Sequence, residues 1–113
     1  MTKRERRENA IAVILEENSE MLTLAHLNIY DATAVWSETN LDVTTIAGYL
    51  AARCFNPAAA LQLDKANIWP IDAAIAVGHG AHVETIGYYV ASGLMTTLQA
   101  KNFIFDYHYA SAR

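Results

Sequence analysis

Apolar residues recur at steps of three and four along most of the chain. Ile11, Ile14 and Leu15 mark one side of a segment from about Lys3 to Glu17. Leu22, Ala25, Ile29, Ala32 and Trp36 mark a second, about Glu20 to Glu38, and Val43, Ile46, Leu50 and Cys54 a third, about Asp42 to Phe55. This spacing puts the apolar residues on one face of a helix, with polar residues on the other. Leu61, Ile68 and Ile75 continue the pattern, but Pro70 lacks the N–H that a helix interior needs. Two short helices are therefore predicted there, about Ala58 to Ile68 and Pro70 to Val77. A last helix, about Ala81 to Ala100, carries Val83, Ile86, Val90 and Leu94 at the same steps as Val43, Ile46, Leu50 and Cys54.

The punctuation fits these segments. Thr2 with Glu5 has the spacing of a capping box. Asn18 or Ser19 ends the first helix and starts the next, Thr39-Asn40 breaks the second, and Asn40 or Asp42 caps the third. Asn56-Pro57 pairs a capping side chain with proline at the first helical position. Gly78-His79-Gly80 is a stop.

Two stretches echo each other. Leu22-Thr23-Leu24 leading to Asn28-Ile29-Tyr30 matches Leu61-Gln62-Leu63 leading to Asn67-Ile68-Trp69, thirty-nine residues on. Val43 to Ala51 matches Val83 to Ala91, forty residues on. A period of this size suggests one supersecondary unit used twice. Residues 102–109 differ in character. Phe103, Phe105, Tyr107 and Tyr109 alternate with Ile104, Asp106 and His108, which reads either as a strand or as an irregular aromatic tail packed on the helices. The expected fold is all-α: a compact bundle of about five helices, built as two related hairpins plus an N-terminal helix, with an aromatic C-terminal tail. The alternative is a small α+β domain with strands near Leu22–Trp36 and Leu61–Val77.

With 113 residues, 53% of them apolar, the chain is expected to form a single domain spanning 1–113. The net charge of −4 argues against a broad phosphate-neutralising face. The one basic cluster, Lys3-Arg4-Glu5-Arg6-Arg7, is short and interrupted by acid, as in a solvated helix start. Cys54 is the only cysteine, so no internal disulfide can form. With no apolar stretch long enough to span a bilayer, a cytoplasmic location is expected.

Chemistry is sparse. His79 and His82, with Glu84 nearby and Asp106 or His108 farther along, are the metal candidates, because imidazole and carboxylate suit zinc. They lack the His-Glu-x-x-His pattern, and a polar turn is the plainer reading. Ser37, Ser92 and Ser111 sit in no Gly-x-Ser-x-Gly elbow. Asp31 and Asp72 fall at similar places in the two echoes and could act as paired acids. The scattered glycines form no phosphate cradle, so no cofactor is expected. A helix-turn-helix over Thr44–Leu63 would offer only Gln62 to base edges. Asn28 and Asn67 could fix helix register by buried hydrogen bonds.

Aromatic residues are the stronger signal. Tyr30, Trp36, Tyr49, Trp69, Tyr88, Tyr89, Tyr107 and Tyr109 are too many to bury in so small a core with their polar heads satisfied. Tyr88, Tyr107, Tyr109 and Phe105 are the candidate protein-interface residues. These features lead to the expectation of a small acidic non-enzymatic protein that acts through protein–protein binding, as a regulator, adaptor or inhibitor of bacterial or mobile-element type, and self-associates. Two alternatives stand beside it: a dimeric DNA-binding regulator using the basic N-terminal helix, and a metal protein or enzyme using His79 and His82.

Overall fold

The computed structural model describes residues 1–24 and 28–110, the side chains at 21, 23, 24, 29 and 107–110 excepted. The described residues form eight helical segments and no strand: α1 (Lys3–Glu17), α2 (Ser19–Leu24), α3 (Ile29–Glu38), α4 (Val43–Ala51), α5 (Pro57–Lys65), α6 (Pro70–Gly78), α7 (Val83–Ala91) and α8 (Thr97–Ala110). The protein is all-α. Its contacts cluster into two units, Met1–Ala47 and Gly48–Arg113.

In the first unit α1 packs on α3 and touches α2. Thr2 caps α1 by accepting the Glu5 N–H at 3.2 Å, one half of the box that the sequence predicts; the Glu5 carboxylate accepts from the Thr2 hydroxyl at 3.3 Å rather than from the Thr2 N–H. Ile11, Leu15, Leu22 and Trp36 are fully buried. The Trp36 indole N–H has no acceptor among the described residues. Arg7 donates to the Leu41 and Ser37 carbonyls at 2.6 and 3.4 Å, tying α1 to the end of α3 and the loop after it.

In the second unit α5 packs on α7 and α6 on α8, and α7 also touches both α6 and α8. Leu50, Cys54, Leu63, Ile68, Val83 and Ile104 form its core. Tyr49 is buried with its hydroxyl donating to the Ile68 carbonyl at 2.7 Å. Burial, with Asp64 nearby, holds that phenol well above its usual range, so it stays a neutral donor. Two helix contacts are close enough to require glycine. A Cβ on Gly87 would lie 2.6 Å from the Ala59 carbonyl oxygen, and one on Gly48 would lie 2.6 Å from Pro70 Cβ.

Several boundaries depart from the sequence reading. The expected helix from Glu20 to Glu38 is broken: Asn28 adopts an extended conformation, and its side chain caps α3 by accepting the Tyr30 and Asp31 N–H groups. The helices expected to reach Phe55 and Ala100 stop at Ala51 and Ala91. Each is closed by a left-handed residue, Arg53 (φ 61°) and Gly93 (φ 79°). Residues 102–109 are neither strand nor irregular tail. They lie in α8, where Thr96 and Gln99 exchange backbone-to-side-chain hydrogen bonds at 2.9 and 3.1 Å in a capping box. Ala100 and Ile104, four apart, supply its buried face. That helical spacing overrides the alternation of aromatic and polar residues.

Candidate functional site

Among the described residues the polar candidates are dispersed, and several make bonds within the fold. His79 is the C-cap of α6 and His82 the N-cap of α7, both exposed. Glu84 points away from metal chemistry: its Oε2 accepts the N–H groups of Phe55 and Asn56 at 2.6 and 3.2 Å. The His108 side chain lies outside the described residues. No group of three or more His, Cys, Asp or Glu side chains that could hold a metal occurs among the described residues.

Asp31 and Asp72 each sit in the first turn of a helix. Asp72 accepts the Trp69 N–H at 3.3 Å, the end of the helix where a carboxylate is favoured by the macrodipole. Asn28 and Asn67, matched in the sequence, have different conformations: Asn28 is an extended N-cap, whereas Asn67 is left-handed with φ 59°. Neither makes the buried register bond expected of it; both are exposed. Cys54 is fully buried. Burial, helped by the Glu84 carboxylate, pushes its thiol up to about 12. It is a core residue, protonated and unreactive at neutral pH.

The basic cluster is partly consumed by structure. Arg7 is committed to two carbonyls, and Arg4 pairs with Glu8 at 3.1 Å one turn on. In the segment tested as a DNA-recognition helix, Ala59, Ala60 and Leu63 are buried. No helix among the described residues is long and apolar enough to cross a membrane.

What remains is apolar surface. Tyr88 on α7 is 58% exposed and its neighbour Tyr89 40%. Leu94, just beyond α7, is 74% exposed, and Leu98, in the first turn of α8, 66%. Phe105 is half-buried under the Lys101 ammonium, 5.8 Å from its ring centre, a cation–π distance. The side chains of Tyr107 and Tyr109 lie outside the described residues. Sequence reasoning singled out Tyr88 but missed Leu94 and Leu98. Leu94 falls on the apolar stripe of the helix expected over Ala81 to Ala100. The signal against that assignment was Ser92-Gly93, a helix stop that carries Leu94 off the α7 face.

No known protein family, curated protein or solved structure matches the chain.

Proposed function

We propose that the protein acts by binding other proteins, as a regulator, adaptor or inhibitor without catalysis of its own, and that self-association is one such contact. The observation that carries this reading is the exposure of Tyr88 and Tyr89 on α7, Leu94 at the corner after it and Leu98 in the first turn of α8. Tyrosine presents a rigid apolar ring with a hydroxyl that remains satisfied in water, which suits a surface that is alternately free and covered. Among the described residues no group of His, Cys, Asp and Glu that could hold a metal competes with this reading. The acidic balance adds electrostatic selectivity toward basic partner surfaces.

Light scattering across a concentration series tests the reading. The expected outcome is a mass that rises from one chain toward two with concentration, and a weaker assembly in Tyr88→Ala by about tenfold in dissociation constant, on the order of 1.4 kcal/mol. A one-chain mass at every concentration, in wild type and variant alike, contradicts it.

A further inference from the structure

The charges on α1 run against its own dipole. Aligned peptide dipoles leave a helix start partly positive and its end partly negative, so acids are favoured first and bases last. α1 does the reverse. It begins Lys3-Arg4-Glu5-Arg6-Arg7, four bases to one acid, and ends Glu16-Glu17 with no base in its last turn. Two of the bases have partners within the chain: Arg4 pairs with Glu8, and Arg7 donates to two carbonyls. Lys3, Arg6, Glu16 and Glu17 are exposed and make no ion pair among the described residues.

The open face of the same helix carries an ordered stripe. Arg6, Asn9, Val13 and Glu16 are all exposed and follow at steps of three, four and three, which keeps them on one side. Ile11 and Leu15 bury the other side. Val13, 53% exposed, is the apolar member of the stripe. Asn9, Ala12 and Glu16 also line a groove whose other wall includes Tyr30 and Thr33 of α3, and the Tyr30 ring is 87% exposed.

We propose that α1 docks antiparallel on α1 of a second copy of this chain, with Arg6 of each copy facing Glu16 of the other. This rests on the self-association proposed above and adds a contact on α1 to it. The stripe reads the same in both directions. Residue 11 is the midpoint of 6 and 16 and also of 9 and 13, so a twofold axis level with it pairs Arg6 with Glu16 and Asn9 with Val13, each pair occurring twice. Val13 of the second copy then lies over Asn9, where the groove offers Ala12 and the Tyr30 ring as apolar neighbours. The antiparallel arrangement also brings acids to each positive helix start and bases to each negative end, which corrects the misplaced charge. A parallel pairing would set Arg6 on Arg6 and Glu16 on Glu16. A phosphate backbone along the stripe would meet Arg6 but be repelled by Glu16 and Glu17. The contact is small and its ion pairs are exposed, so it is weak and sensitive to salt.

Charge reversal on the full chain tests the pairing, read by sedimentation equilibrium. Arg6→Glu alone sets acid on acid at both contacts, and Glu16→Arg alone sets base on base. Each is expected to weaken association about tenfold. An equimolar mixture of the two variants restores it to at least the wild-type level, because in the mixed pair both contacts again join opposite charges. Both positions are exposed, so each variant keeps the helical circular dichroism of the wild type. Association unchanged by either reversal overturns the proposal. So does a mixture that associates no better than the separate variants, or a wild type that stays one chain at every concentration. The Tyr88→Ala variant reports on the α7 surface alone. If it weakens association while charge reversal does nothing, the reading above stands and this one fails; if the mixture is restored while Tyr88→Ala is inert, the α7 contact fails and this one stands.

Discussion

At position 93 the backbone takes φ 79°, and at position 53 it takes φ 61° in an otherwise similar turn. Glycine accepts that region freely, whereas an L side chain strains there by roughly 1–2 kcal/mol. Nothing lies within 4 Å of a Cβ built on Gly93, so Gly93→Ala is expected to cost about 1 kcal/mol from the backbone alone. Arg53→Gly relieves the corresponding strain while loosening the unfolded chain, and its net effect should stay within about 0.5 kcal/mol of wild type. Urea denaturation of both variants checks the pair; equal losses would contradict the assignment of one turn type to both corners. Single residues also set how much of the structure could be read in advance. Thr2, Asn56 and Pro57 act locally and perform the roles their identities imply. Asn28 is equally local, but a continuous apolar stripe masked it as a helix interior. Glu84 was not legible at all. Its partners are twenty-eight and twenty-nine residues away in the chain, and nothing in a lone acid tells which backbone amides it will meet.

Helix type was legible wherever the apolar spacing ran for several turns; helix ends were not. The stripes through Ile46 and Leu50, and through Val83 and Ile86, are buried as their spacing predicts. Each stripe then continues in sequence past the point where a left-handed residue turns the chain away. α8 posed the opposite problem. Alternating aromatics imitate a strand, but a strand would put Asn102 on the same face as Ala100 and Ile104, and Asn102 is exposed while the other two are buried. Helix pairing itself rests on small residues. α5 and α7 approach so closely that a Cβ on Gly87 would meet the Ala59 carbonyl at 2.6 Å and its Cβ at 2.8 Å. Gly87→Ala gains helix propensity but must push the two helices apart, and overpacking of this kind costs roughly 1–3 kcal/mol. Thermal unfolding should therefore show a lower midpoint for Gly87→Ala; a raised midpoint would mean that α5 and α7 are farther apart than described.

Across the whole molecule, the sequence echo survives as a shared local conformation only in part. The forty-residue match through α4 and α7 holds turn for turn, whereas the thirty-nine-residue match at Asn28 and Asn67 joins residues of opposite backbone hand. At the corner between α4 and α5 Glu84 accepts the Phe55 and Asn56 N–H groups, whereas the corner between α7 and α8 carries the exposed Leu94 and Leu98 on which the binding account depends. Hydrogen exchange measures that asymmetry directly, since amides exchange at rates set by local opening and by the bonds they make. The account predicts that the Phe55 and Asn56 amides are protected in the wild type and lose protection in Glu84→Gln, while the Met95 amide exchanges rapidly in both. Equal protection at the two corners, or a slow Met95 amide in the isolated monomer, would contradict it.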